Sequence, residues 1–298
     1  MTDENLRDGE PANDDAAEPP TEQPFNDGPT IAGMTRAEME SAALEGRQVS
    51  GALERTTALR LLRDGELTVV GRLLAASNAT FFCVVAGPGD DTCGGPETMI
   101  AASCVYKPRR GERPLYDFPD GTLACREVAA HAVSEASGWE VVPPTVMRDG
   151  PFGVGMVQLW IEVDESADLA KLVGSDEPAL RRVAVLDAVL NNADRKGGHL
   201  LALPDGRIQG IDNGLCFAVE PKLRTVLWRW RGQPLTAEER DVLVLLRDAL
   251  TGDLGDELRP LLAEEEVAAT SGRIEVLLSS GSLPRPDPTR PAVPWPPF

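Results

Sequence analysis

Apolar and polar positions alternate with two different periods along the chain, and the change of period divides it. A short helix is expected at about 54–64, and β-branched apolar runs over 66–74, 79–86 and 99–106 read as antiparallel strands. Thr122 can cap a helix running to Gly138, because Cys125, Val128, Ala129, Ala132, Val133 and Ala136 fall on one stripe at helical spacing. Strand-like segments follow at 141–147 and 154–163. Beyond about 166 the helical period takes over: a short helix near 167–173, then 176–191 carrying Leu180, Val183, Ala184, Leu186, Asp187 and Leu190. The run LLALPDGRIQGID interrupts as a hairpin turned by Pro-Asp-Gly, and helices at about 236–251, 253–262 and 264–280 close the pattern. Strands with one helix, then helices with one inserted hairpin, predict two lobes and a cleft between them.

The two ends lack such a pattern. Residues 1–30 hold nine acidic side chains, one Arg and five Pro, with only Leu6 and Phe25 large and apolar, too little to offset the entropy of ordering. They read as a disordered acidic tail, and 31–53 as a linker or short helix. Residues 284–298 contain seven prolines, an extended segment that either straps onto its own domain through Trp295 and Phe298 or recruits a partner. An N-lobe over 54–163 and a helical C-lobe over 164–283 make up the folded part.

With 29 Lys and Arg against 48 Asp and Glu among 298 residues, the formal charge is −19, which argues against nucleic acid and against stable attachment to an anionic membrane. No apolar run reaches membrane-spanning length and the N-terminus has no signal-like pattern, so a cytoplasmic location is expected. Five cysteines without a C-x-x-C pair fit reduced thiols, and two histidines exclude a multi-histidine zinc site.

Candidate chemistry lies at element ends. Asp194, in NNADRKGGH, stands between an apolar helix and a strand, and Asp212, in GIDNGLCF, ends the second strand of the hairpin. Carboxylates at the two ends of one short hairpin can converge as phosphoryl transfer requires, one positioning a hydroxyl and one holding magnesium. The same residues also read as a helix-end cap and a plain turn. Lys107 ends the strand IAASCVYKP, where a fixed ammonium can pair with nucleotide phosphates. Arg109, Arg110 and Arg113 follow, either a contact for an anionic substrate or a solvated loop. Ser77, Asn78, Ala79 and Thr80 form a small polar stretch between two strands, whose amides can cover phosphates.

CVYKP, REVAAHAVSEASGWEVVPPT, VQLWIE, ADRKGGH and GIDNGLCF, in that order over about residues 68–230, resemble the phosphatidylinositol 3- and 4-kinase-like family. The nearest resemblance is to the type II phosphatidylinositol 4-kinases and an uncharacterised actinobacterial branch, with a more distant one to HipA-like protein kinases. The resemblance implies a two-lobed, protein-kinase-like α+β fold with a strand-rich N-lobe and a helical C-lobe. It implies ATP and Mg2+ as cofactors, Lys107 on the α- and β-phosphates, Asp194 acting on the accepting hydroxyl and Asp212 on the metal. Gln158, Leu159 and Trp160 would form the hinge beside adenine through backbone groups, and Trp160 equally reads as an interlobe core residue. Glu127 matches the family's helix glutamate that pairs with the lysine, yet it lies nearly opposite the apolar stripe and also reads as solvated. His199 stands where the family has a metal-binding Asn, which leaves a one-metal kinase, a manganese-preferring kinase, a pseudokinase or a structural hydrogen bond open. Lys196 is placed to neutralise the transferring phosphoryl group or to be solvated. No cysteine-rich palmitoylation segment of the lipid kinases is present, so a soluble hydroxyl-bearing small molecule or a protein is the expected acceptor, with a pseudokinase scaffold and a HipA-like Ser/Thr kinase as alternatives.

Overall fold

The computed structural model of the protein describes residues 53–74, 76–91 and 95–298, together with the backbone pairing of 30–31 and 48–49. The acidic tail and linker expected before residue 53 fall almost wholly outside these residues, as does Cys93. Four cysteines, Cys83, Cys104, Cys125 and Cys216, are free and buried.

The first lobe is built on a sheet. Two short strands, β1 (Thr30–Ile31) and β2 (Gln48–Val49), and helix α1 (Arg55–Asp64) precede β3 (Glu66–Leu73), β4 (Phe81–Pro88) and β5 (Met99–Pro108). Helix α2 (Leu123–Ala136) separates these from β6 (Thr145–Gly150) and β7 (Gly153–Leu159). The sheet order is β1-β3-β4-β5-β7-β6, antiparallel from β3 to β6, with β1 and β2 added in parallel to β3 and β5. β4 is central and nearly all apolar, so its alternate residues feed two faces. Phe81, Cys83 and Val85 join Leu61 and Leu62 of α1, while the Phe82 and Trp160 rings pack in a T-shape with centroids 5.1 Å apart.

Two strands differ from the expectation. β6 begins at Thr145 rather than 141, because Pro143 and Pro144 have no N–H to give a ladder. β7 ends at Leu159 rather than 163, and the chain leaves the sheet after one further bond, from the Trp160 N–H to Ser103 O at 3.0 Å.

The second lobe is helical: α3 (Leu169–Val173), α4 (Pro178–Leu190), α5 (Ala237–Leu250), α6 (Asp253–Leu258) and α7 (Glu264–Ser280), with the hairpin β8 (Leu200–Ala202) and β9 (Ile208–Gly210) inserted. α4 is its axis. Leu180, Val183, Leu186, Val189 and Leu190 are buried against Leu243, Leu246, Ile274 and Leu277 of α5 and α7. α2 belongs to both lobes: Ala129, Ala130, Ala132 and Val133 enter the helical core, while Ala124 and Val128 pack on Met156 of the sheet. A helix sandwiched in this way is buried all round, so its apolar stripe alone does not show which residues meet water. The expected Thr122 cap is absent. The Thr122 hydroxyl donates to Pro119 O, and the Glu112 carboxylate takes the cap instead, accepting from the Leu123 and Ala124 N–H groups at 2.9 and 2.8 Å.

Residues 284–298 lie on the helical lobe. Ala292 O accepts from the Thr225 N–H at 3.1 Å and from Trp228 Nε1–H at 2.7 Å, and Pro297 O accepts from the Gly197 N–H at 2.7 Å. The Phe298 ring covers Gly197 so closely that a Cβ there would overlap it. Of the two anchors expected for this strap, Phe298 packs and Trp295 stands exposed.

Candidate active site

Lys107 is the penultimate residue of β5 and pairs in register with Met156 of β7. The neighbouring Gly155 permits this approach, because a Cβ there would lie 2.5 Å from Lys107 O. From this rigid position the ammonium reaches Glu127 Oε1 at 2.7 Å and Asp212 Oδ1 at 3.0 Å. Glu127, on α2, is 2% exposed, which removes the solvated reading. Its second oxygen, Oε2, accepts from the Asn213 N–H at 2.8 Å. One carboxylate therefore ties the sheet lysine to the loop after the hairpin.

Asp212 follows β9 with φ +60°, a left-handed conformation that Asp tolerates better than most residues. Its side chain is 51% exposed, against 21% for Lys107. Burial works against the Lys107 ammonium, but Asp212 and Glu127 outweigh it and hold its pKa above the ordinary lysine value. Lys107, against the opposing effect of burial and with help from His199 and Arg195, holds the Asp212 carboxyl well below the usual range. Both groups are ionised at neutral pH.

His199 Nε2 lies 3.3 Å from Asp212 Oδ2, and the Lys196 N–H points at His199 Nδ1 at 3.5 Å. Burial lowers the imidazole pKa more than Asp212 raises it, so His199 is neutral near pH 7. The tautomer that fits both neighbours carries its proton on Nε2 and donates to Asp212. In this geometry His199 orients the Asp212 carboxylate.

Asp194 and Lys196 form an ion pair at 3.1 Å. Asn192 sets the loop by accepting the Asp194 N–H at 2.9 Å while donating to Asp187 Oδ1 at 3.0 Å. Between them Arg195 points inward. Its guanidinium meets the Asp187 carboxylate, each side chain 1% exposed, and donates to Ile211 O at 2.7 Å and Asn213 Oδ1 at 2.6 Å. The Ala193 N–H to Leu215 O and Phe217 N–H to Leu190 O bonds zip the two loops together further along. Asp194 and Asp212 are thereby fixed relative to one another through buried contacts.

Ser77, Asn78, Ala79, Lys107, Glu127, Asp194 and Asp212 line one cavity of about 170 Å3, together with Glu112, Arg113, Leu115, Leu123 and Gly214. The loop between β3 and β4 is pinned over it by the Ala79 N–H to Gly111 O bond at 3.0 Å and by Asn78 Oδ1, which accepts the Arg113 N–H at 2.9 Å. Thr80 lies outside the lining and is buried, its hydroxyl turned back to Asn78 O. Gln158, Leu159 and Trp160 are also outside it. The Leu159 N–H is bonded to Pro144 O, the Trp160 N–H to Ser103 O and the Gln158 side-chain amide to Thr145 Oγ1, so these three donors are engaged within the protein. Among the described residues no group of three or more His, Cys, Asp or Glu gathers as a metal cage. Magnesium is commonly held by one or two carboxylates, with phosphates and water completing its shell, and Asp212 and Asp194 on one cavity supply that donor set.

Protein Rv2133c of Mycobacterium tuberculosis (strain ATCC 25618 / H37Rv) is 42% identical over 273 residues, covering 80% of this chain and 94% of the relative. The chain belongs to the family of Protein Rv2133c. A second relative, Phosphatidylinositol 4-kinase gamma 4 of Oryza sativa subsp. japonica, is 28% identical over 137 residues, 40% of this chain and 24% of that protein. Among solved structures, the Helicobacter pylori proinflammatory kinase CtkA aligns over 74% of this chain and 94% of its own, at 12% identity and a TM-score of 0.42. No family model matches the chain.

Within this member of the Rv2133c family, Asp187, Asn192, Arg195 and Asn213 set the site without being legible as site residues in sequence. The available signal was Asp187, a carboxylate inside the apolar stripe of α4, which calls for a buried cationic partner. Glu112 was likewise hidden, since its partners lie eleven and twelve positions away across a loop.

Proposed function

We propose that the protein is an ATP-dependent phosphotransferase that moves the γ-phosphoryl group to a hydroxyl of a soluble acceptor. The observation that carries this reading is the convergence of Lys107, Glu127, Asp194 and Asp212 on one cavity from four separate segments of the chain. The partial similarity to a phosphatidylinositol 4-kinase supports phosphotransfer at the level of reaction type. In the proposed reaction the acceptor oxygen attacks the γ-phosphorus, its proton passes to the Asp194 carboxylate, and the bond to the β–γ bridging oxygen breaks to release ADP. Lys107 pairs with nucleotide phosphates, and Lys196, at 3.1 Å from Asp194, lies beside the transferring group. Asp212 would hold magnesium, which would neutralise phosphate charge. His199 keeps the Asp212 carboxylate oriented. No helix among the described residues is long and apolar enough to cross a membrane. Together with the charge of −19, this favours an acceptor met in solution, either a small polyol-like molecule or a protein hydroxyl.

The test is transfer from γ-labelled ATP, with magnesium and then manganese, to a panel of small polyols and to protein acceptors. Label should appear on an acceptor or as phosphate with the wild type and be lost with Asp194→Ala. Nucleotide binding without any label release under either metal would replace this reading with a nucleotide-binding scaffold.

A further inference from the structure

Six charged residues line the cavity: Lys107, Glu112, Arg113, Glu127, Asp194 and Asp212. Five of them are satisfied within the protein. Lys107 is held by Glu127 and Asp212, Glu112 is spent on two N–H groups at the start of α2, and Asp194 is paired with Lys196. Arg113 is the exception. Its N–H is anchored to Asn78 Oδ1, which fixes its backbone against the β3–β4 loop, while its guanidinium makes no hydrogen bond or ion pair among the described residues. The adjacent Arg109 differs, because its Nε–H is engaged by Gly121 O at 2.7 Å.

An unpaired guanidinium at a cavity wall matters more in a chain with 48 acidic residues than it would on an ordinary surface. Acidic side chains are plentiful, and none among the described residues pairs with it. Its planar fork matches the oxygens of a phosphate, and two parallel N–H···O bonds make that recognition directional as well as electrostatic. We propose that Arg113 is a phosphate-recognition residue of this cavity, receiving a phosphate group other than the one paired with Lys107. This rests on the phosphotransferase reading for the identity of the ligand, though not for the presence of an anion site. Two sources share the chemistry: the terminal phosphate of the nucleotide, or a phosphate carried by a phosphorylated acceptor.

The experiment compares wild type, Arg113→Ala and Arg113→Lys by calorimetry in three arms. The first titrates ATP and ADP with magnesium, the second titrates glycerol 3-phosphate and glycerol into protein saturated with MgADP, and the third titrates pyrophosphate alone. Loss of a charged, bidentate contact should weaken phosphate binding by about ten- to a hundredfold in Arg113→Ala, with partial recovery in Arg113→Lys. If ATP weakens while ADP does not, the site receives the terminal phosphate of the nucleotide. If ATP is unchanged and glycerol 3-phosphate loses its advantage over glycerol, the site receives the acceptor's phosphate. Wild type and Arg113→Ala with equal affinities in all three arms overturn the proposal. Pyrophosphate binding that depends on Arg113 in a protein that binds no nucleotide would leave this site standing and remove the phosphotransferase reading. The side chain is exposed, so Arg113→Ala should keep the wild-type melting temperature.

Discussion

Two clusters of cation and carboxylate stand side by side in this molecule, and they are built for different tasks. Asp187, Arg195 and Asn213 form one, with the ion pair 1% exposed on both sides and the guanidinium bonded to Ile211 O as well. Lys107, Glu127 and Asp212 form the other, with Glu127 buried, Lys107 21% exposed and Asp212 51% exposed. The first is closed, so no ligand reaches it and its role is to hold two loops in register. The second is closed on the Glu127 side and open on the Asp212 side, so a ligand can reach the carboxylate that faces the cavity. Asn213 joins them, giving its side-chain oxygen to Arg195 and its N–H to Glu127. The contrast teaches that burial, more than residue type, separates a scaffold ion pair from one able to exchange partners.

The largest expected effect is on the closed cluster. Asp187→Ala leaves a buried guanidinium unpaired and should cost about 3–5 kcal/mol, read as a lower urea midpoint. Asp212→Ala should do the opposite: about 1–2 kcal/mol in the same titration, since half its side chain is in water and the main cost is an alanine at positive φ, but about 10²- to 10³-fold in phosphotransfer. Equal stability losses in the two variants would erase the distinction.

Acid sharpens the comparison, because His131 of α2 belongs to neither cluster and is 5% exposed. Burial lowers its pKa from the ordinary 6.5 to about 4, so the unfolded chain takes up the proton first. Stability from this group is present above about pH 6.5 and is lost as the pH falls toward 4, by up to about 3 kcal/mol. His199 shifts in the same direction. Urea midpoints of His131→Gln should depend less on pH across this window than those of the wild type. The smallest effect concerns the strap. Gly197→Ala should push the Phe298 ring aside at a cost of about 1 kcal/mol or less, because that ring is half exposed and able to swing away. Faster proteolysis of residues 284–298 is the readout.

Periodicity made the lobes legible: the strand runs, the α4 stripe and the Pro-Asp-Gly hairpin all lie within a few residues of where spacing puts them, because each is a local pattern. Lys107, Asp194 and Asp212 were legible as element-end residues for the same reason. Glu127 was ambiguous, since a helix covered on all sides has no solvent face for its pattern to reveal. The hinge donors at Leu159 and Trp160 and the cap from Glu112 depend on partners that only the folded chain brings together. His199 illustrates the remaining difficulty: in sequence its position read as a metal ligand or as a structural hydrogen-bonding group, and its 3.3 Å approach to Asp212 depends on the folded chain.

Asp212 is the ligand-facing member of the open cluster. Calorimetric titration of MgATP into wild type and Asp212→Ala, each repeated without metal, tests it. Binding that requires the metal in the wild type and vanishes in the variant is the predicted result. Equal affinity in both proteins, with magnesium present, would contradict it.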